Sequence, residues 1–326
     1  MILLESRNKQ IWNIEYKIIK IIEEAISTTG PIIINLNNEG PCLRSCNFYD
    51  MLDNIVETFK IDKKRFTIQT SNVEEFHSEY NIEIENNVWV NNSKKLQINN
   101  KVKDSTLYTV GCFIGKTNWN RLVLLGWLDK FFNEKSLLTC HYDNNSQSQL
   151  SALELNEIFQ ICPDEIHNAV NFLKICPKKI ANMSMRYDDK TRYDDIMSIL
   201  NELSSSYHTI FSELVCETYY SGITFFPTEK TFRPIMQLTP TITFGPRGFL
   251  SNMQRCGFKT FSNYWDESYD DLQDYERIQA IQVILKKLFL LDQTEIKKMY
   301  DDMLPILQHN KNRLLTMTPQ ELKLVA

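Results

Sequence analysis

The stretch that decides the fold is ETYYSGITFFPTEKTFRPIMQLTP, Glu217 to Pro240. The apolar run Leu214-Val215-Cys216 delivers Glu217 at a strand end, and Thr228-Glu229-Lys230 then opens a helix that carries Phe232, Ile235 and Met236 at helical spacing. Strand, loop and helix N-terminus follow one another. A helix start carries partial positive charge, so a cation in the first turn costs about a few tenths of a kcal/mol, yet this turn holds Lys230 with Arg233 close behind. Two readings are open. Backbone N–H groups, Lys230 and Arg233 together make a diphosphate cradle, or Lys230 is a solvated cation near a helix start.

Working outward, Thr241-Ile242-Thr243-Phe244 reads as a strand and Gly245-Pro246-Arg247-Gly248 as a tight turn into a short helix. Arg277 to Leu290 and Thr294 to Leu315 read as amphipathic helices. Upstream, LYTVGCFIG from Leu107 is a strand, Lys116-Thr117-Asn118 a turn, Trp119 to Phe132 a strongly apolar helix, and Ser136 to Cys140 another buried strand. Ala152 to Glu202 reads mainly as helix, with Ala169, Val170, Phe172 and Leu173 in the core. Within it the near-repeat RYDDKTRYDD reads either as paired carboxylates for a divalent metal or as a solvated loop of alternating charge. The second reading is favoured, because neither pair follows an apolar strand.

The chain before Leu107 repeats the α/β pattern. Ile11, Ile14, Ile18, Ile21, Ile22 and Ala25 recur on one helical face, and PIIINL, Pro31 to Leu36, is a continuous apolar run suited to a strand buried on both faces. A helix with Phe48, Met51, Leu52, Ile55, Val56 and Phe59 inward follows, then the strand RFTIQT, Arg65 to Thr70. This is the signature of a parallel βαβ unit. Ile82, Ile84, Val88 and Val90 predict one or two more short strands, and the polar stretch Asn99 to Ser105 predicts a domain boundary. The expected division is 1–104, 105–290 and a C-terminal helix over 291–326 that packs back on the first domain.

With 326 residues, 43% hydrophobic and 24% charged, the chain is long enough for two domains of ordinary globular composition. No uninterrupted apolar stretch is long enough to span a bilayer, and MILLESRNKQ lacks the features of a signal peptide, so a cytoplasmic location is expected, the host cytoplasm for a viral protein. Thirty-six Lys plus Arg against 41 Asp plus Glu give a net charge of −5, which argues against a broad nucleic-acid surface and leaves room for a local basic cleft. The eight cysteines include no CxxC pair, so buried free thiols are expected rather than a zinc site. No GxxxxGK[ST] occurs, which weighs against a P-loop phosphotransferase.

The run from Glu217 to Asp270, with TEKTFRPI, a proline-led strand, GFKTF and WDESYDD, resembles the nucleotide-sugar-binding half of GT-B glycosyltransferases. It is most similar to fucosyltransferase-like and exostosin-like enzymes and to relatives carried by large viruses and phages. The resemblance implies an α/β fold of two Rossmann-like domains with parallel sheets facing a cleft, plus C-terminal helices. It implies donor binding by Glu217, Thr228, Glu229, Lys230 and Arg233, the lysine on the phosphates and the acids on ribose or sugar hydroxyls. A weaker likeness over Thr109 to Arg121 adds Lys116, Asn120 and Arg121. The implied activity is transfer of a sugar from a nucleotide-sugar donor to a glycan, a glycoprotein or a modified DNA base, with inversion and without metal or other cofactor. The rival expectation is a catalytically silent binding protein.

Inversion asks for a carboxylate to take the acceptor proton; Glu39, in the loop after the first apolar strand, is the first candidate, with Glu74 and Glu75 behind it. Bland readings stand beside these. Glu217 could pair with Arg233 structurally, and Trp265, Tyr269 and Phe261 pack under a loop more readily than they stack a base. Asp266, Glu267, Asp270 and Asp271 suit a solvated helix approach, and His141 a satisfied loop position.

Overall fold

The computed structural model describes residues 2–3, 14–36, 40–96, 103, 106–115, 118–140, 148–178 and 203–325. Among the described residues, eight strands form two sheets in which the strands pair in parallel, and Cys140 makes one isolated antiparallel bridge to Lys178. The protein is therefore α/β, as its alternation of apolar runs predicts.

The first sheet has the order β1-β2-β3-β4, from Ile2–Leu3, Ile32–Asn35, Phe66–Thr70 and Asn81–Ile84. Helix α1 (Ile14–Ser27) joins β1 to β2, and α2 (Phe48–Phe59) joins β2 to β3. Because the order never reverses, right-handed crossovers stack both helices on one face. The core agrees: Ile21 and Ala25 of α1 and Leu52 and Ile55 of α2 share one cluster with Ile32, Ile34, Phe66 and Ile68. The alternate residues Ile33, Asn35, Thr67 and Gln69 are only half-buried.

Val88 and Val90 correct the sequence reading. They lie in helix α3 (Val88–Ser93), not in a strand. Asn87 accepts a hydrogen bond from the Trp89 N–H at 2.9 Å and so caps a helix start, which with tertiary packing overrides the β preference of two valines. Of the polar stretch 99–105, only residue 103 is described, and Lys103 is buried.

The second sheet has the order β6-β5-β7-β8, from Tyr108–Ile114 (β5), Ser136–Cys140 (β6), Ile210–Cys216 (β7) and Thr241–Phe244 (β8). Helix α4 (Trp119–Phe132) carries the chain outward from β5 to β6. Helices α5 (Ser148–Ile161) and α6 (Ile166–Lys174) lie on the return across β5 to β7. Helix α7 (Glu229–Met236) then leads outward the other way to β8. Crossovers of one hand running in opposite directions put α4 and α7 on opposite faces, and every residue of β7 is buried. Gly126 lets α6 cross α4 closely: a Cβ there would stand 2.7 Å from the Asn168 backbone.

Helices α8 (Phe249–Arg255), α9 (Asp274–Leu290) and α10 (Gln293–Thr316) follow, and a 3-10 turn over Pro319–Val325 ends the described chain. The last two helices are held by apolar faces that include Ile281, Leu285, Tyr300, Met303 and Leu314, each such side chain worth about 1.5–3 kcal/mol when removed from water. Val73, Val90 and Leu96, from before β5, join this same core. The chain after α10 touches the first sheet's side: Lys94 Nζ donates to Met317 O at 2.6 Å, and Lys323 Nζ donates to Ile84 O at 2.5 Å. Among the described residues, no helix is long and apolar enough to cross a membrane.

Candidate functional site

In an open parallel sheet, the crevice that takes a ligand lies beyond the carboxyl ends of the strands where the strand order reverses. The first sheet has no reversal. The second reverses between β5 and β7, so the crevice is bounded by the start of α4 after β5 and by the loop 217–228 and the start of α7 after β7.

On the α4 side, Asn118 caps the helix by accepting from Arg121 N at 3.0 Å. Arg121, 5% exposed, directs its Nη2 to Cys216 O at 3.0 Å and Glu217 O at 2.8 Å, tying α4 to the end of β7. Among the described residues, Asn120, 1% exposed, finds a partner for neither its Nδ2 nor its Oδ1, and Asn118 Nδ2 has none either. Buried amide groups are nearly always hydrogen-bonded, to protein, to ordered water or to a ligand.

On the α7 side, Glu217 is a clasp. Its carboxylate accepts from Thr228 N (3.0 Å), Thr228 Oγ1 (2.7 Å), Thr231 Oγ1 (2.6 Å) and Thr218 N (3.0 Å), and the residue is 1% exposed. An anionic acceptor here satisfies N–H groups that a helix start leaves orphaned and faces the positive end of the dipole. Thr228 is the N-cap, as the T-E-K reading requires.

Lys230 is half-buried, and its ammonium meets Glu229 Oε1 at 2.6 Å and Thr218 Oγ1 at 3.1 Å. Burial alone would push the Glu229 carboxyl up, but Lys230 and then Arg233 outweigh it and hold it below the usual carboxylate range. The two charges neutralise each other.

Arg233 is elsewhere. Its Nη2 pairs with Glu213 Oε1 at 2.6 Å, its Nε donates to the Tyr207 hydroxyl, and that hydroxyl donates to Glu213 Oε2 at 2.5 Å. Burial opposes the guanidinium charge, and the Glu213 carboxylate outweighs it, so the Arg233 pKa rises. The expected cradle of backbone N–H groups, Lys230 and Arg233 is thereby reduced to Lys230. Glu217 and the cap already use N–H groups of the first turn, and Arg233 answers a buried acid in β7. Glu217 does not pair with Arg233.

The loops beyond β2, β3 and β4 bond to the 224–227 segment. Thr224 Oγ1 donates to Gly40 O at 2.5 Å, Phe225 N to Asn72 Oδ1 at 2.9 Å, and Asn87 Nδ2 to Pro227 O at 2.8 Å. The carboxyl ends of the two sheets are thus on the same seam. Glu75 is not a free base: it is 8% exposed and accepts from Leu43 N, Tyr49 Oη and Asn72 Nδ2, and burial raises its pKa. Glu74 lies 3.8 Å from Arg255. Glu39, Lys116, His141 and RYDDKTRYDD lie outside the described residues. Phe261, Trp265 and Tyr269 are buried packing groups; Glu267 accepts from Phe261 N, and Asp270 from Leu250 N and Ser251 N.

Sequence reading missed Glu213, Tyr207, Lys103 and Asn72. A charge within the apolar run IFSELVC was the available signal for Glu213; the other three carried none. Comparison with protein-family models, with curated proteins and with solved structures finds no match.

Proposed function

We propose that the protein is a glycosyltransferase of GT-B type that moves a sugar from a nucleotide-sugar donor to a glycan, a glycoprotein or a modified nucleobase, with inversion and without a metal. The observation that supports this reading is the strand-order reversal of the second sheet, with α4 and its buried Asn118 and Asn120 amides following one of the two flanking strands and the Glu229–Lys230 pair of α7 following the other. In the reaction, an acceptor oxygen forms a bond to the anomeric carbon while the bond from that carbon to the phosphate oxygen breaks. The leaving diphosphate keeps the electron pair, and fixed cations and helix starts stabilise that charge.

Lys230 is the group assigned to the phosphates, Glu229 to donor hydroxyls, and the α4 start with Asn120 to the remaining phosphate oxygens. Arg121 and Glu217 hold the two walls in place. Glu39 keeps the role of acceptor base. The seam between the carboxyl ends of the two sheets supports an acceptor approaching from the first sheet's side.

The test is a thermal-shift panel of UDP, GDP, ADP, CMP and their common sugar conjugates, with and without EDTA. A nucleotide at about a hundred times its Kd adds roughly 2.7 kcal/mol of stability. A shift with one diphosphate nucleotide that survives EDTA supports the reading; no shift with any of them removes it. One observation favours a silent nucleotide-sugar-binding protein as second reading: Glu217 and Glu75 are each saturated by internal donors. Release of free nucleotide diphosphate from the bound donor excludes that alternative.

A further inference from the structure

Asn72 follows β3, 0% exposed, at the centre of the seam. Its Oδ1 accepts from Phe225 N at 2.9 Å and Glu74 N at 3.1 Å; its Nδ2 reaches Ile223 O at 3.1 Å, Glu75 Oε2 at 3.3 Å and Pro41 O at 3.4 Å. One amide thereby joins the loops after β2, β3 and β7. Its grip on the last of these is continuous with its neighbours' contacts: Thr224 bonds Gly40, Pro227 O accepts from Asn87, and Gly40 lies so close to Phe226 that a Cβ there would stand 2.6 Å from it. Each residue from 223 to 227 therefore touches the chain before β5. The next residue, Thr228, is the N-cap that sets the first turn of α7.

We infer that Asn72 is a positioning residue that holds Glu229 and Lys230 in their ligand-binding geometry through the 223–227 segment, so that the first sheet's side sets the affinity of a site built on the second. The inference rests on the donor reading above for the identity of the ligand. The mechanical part stands on the seam alone. The loop is pinned at both ends of its second half, by Asn72 at 223 and 225 and by the Glu217 clasp at Thr228. Releasing the first pin leaves the segment held by the Gly40 and Asn87 contacts, with the clasp orienting the turn that carries Lys230.

Asn72→Ala removes both functions of the amide. Asn72→Asp keeps the acceptor and loses the donor to Ile223 O. The new carboxylate faces Glu75 Oε2, which Asn72 Nδ2 meets at 3.3 Å and whose pKa burial already raises; a proton taken up between the two carboxylates restores one O–H donor, so the Asp defect should recede as pH falls, whereas the alanine defect should not. Three quantities are measured on the full chain: amide exchange across 223–232, the melting temperature, and the Kd of the nucleotide diphosphate selected by the thermal-shift panel.

The expected result is exchange about tenfold faster both at 223–225 and in the first turn of α7, with Kd about tenfold weaker and acid rescue in the Asp variant alone. Faster exchange confined to 223–225, with the α7 turn and Kd unchanged, overturns the inference. If the native protein binds UDP, GDP, ADP and CMP alike not at all, the donor reading fails. Exchange in the α7 turn then decides the positioning role alone: acceleration sustains it and no change overturns it. Should Asn72→Ala not fold, Thr224→Val, which cuts the adjacent bond to Gly40 O, is read by the same exchange criterion.

Discussion

Glu217→Gln tests whether the acid at the end of β7 is a clasp or a ligand. The two carboxylate oxygens receive four donors, two backbone N–H groups and two threonine hydroxyls. Glutamine keeps one acceptor oxygen and places an NH₂ at the other site. If the oxygen stays on Thr228 N and Thr231 Oγ1, the NH₂ confronts the Thr218 N–H; if the amide flips, it confronts the Thr228 N–H. Thr228 Oγ1 offers little relief, because it already accepts from Lys230 N at 3.3 Å. Each rotamer leaves at least one buried N–H unsatisfied, which costs about 1–3 kcal/mol, and weakens the remaining bonds from charge-assisted to neutral. The expected loss is about 2–3 kcal/mol for Gln. For Ala, which orphans both N–H groups, it is about 3–5 kcal/mol. Thr231→Val should cost about 1–2 kcal/mol alone and couple to Glu217→Gln by about 1 kcal/mol or more in a double-mutant cycle. The assay is urea unfolding, read as a midpoint shift at unchanged slope. A Gln variant within about 0.5 kcal/mol of the native protein, or strict additivity with Thr231→Val, would refute the clasp.

Four further outcomes are expected. Lys230→Ala should change stability by about 1 kcal/mol or less, as for a partly exposed ion pair, and weaken nucleotide binding about tenfold by titration calorimetry. Arg233→Met should instead cost about 3–5 kcal/mol by stranding the Glu213 carboxylate, with Kd per folded molecule unchanged; the reverse pattern would put Arg233 back in the site. Lys103, which donates to Ile210 O and Thr239 Oγ1 at 2.8 Å each, has its pKa pulled by burial from 10.5 to about 7, against the pull of Glu213. The unfolded chain then holds the extra proton between those values, so this group makes stability rise with pH across that window, by up to about 1.4 kcal/mol per pH unit, and is flat below it. The gap between native protein and Lys103→Met in urea titrations should therefore shift by about 2–3 kcal/mol from pH 7 to pH 9, and an equal gap at both would refute it. Gly222→Ala should lower the melting temperature by several degrees, because φ is +76° and the new Cβ would meet Ser45 Oγ and Cys42; an unchanged melting temperature would mean the seam can yield there.

Most of the secondary structure was legible because buried parallel strands and apolar helices leave long signals. PIIINL, LYTVGCFIG and SLLTC are strands, and Trp119 to Phe132 is helix α4 from end to end. Val88 and Val90 were misread because two residues of alternation weigh less than one asparagine cap and the packing of α3 on α7. In the site, the N-cap at Thr228 was legible from T-E-K, since capping is local chemistry. Where Arg233 points was not, because it depends on Glu213, twenty residues earlier in sequence and adjacent only once β7 and α7 pack. Asn72 lay in TSNVEEF as one polar loop residue among several. Its role exists only in the contact between two sheets, which no local pattern encodes.

Under the proposed reading, the order of the strands also bears on where a ligand meets both kinds of wall. A sheet that runs β1-β2-β3-β4 sends every helix to one side, so its carboxyl edge offers helix starts from one face only. The reversal at β5 and β7 brings helix starts from both faces to one crevice, and Arg121 locks them together through the carbonyls of Cys216 and Glu217. Under the proposed reading the pairing of Lys230 with Glu229 suits an exchange of partners when a donor binds. A donor presents anionic phosphate oxygens and neutral hydroxyls a few ångströms apart, so it can take the lysine from the glutamate and give the glutamate hydroxyl donors in return. The exchange leaves no uncompensated charge at either stage, which a lone lysine in a half-buried crevice could not achieve.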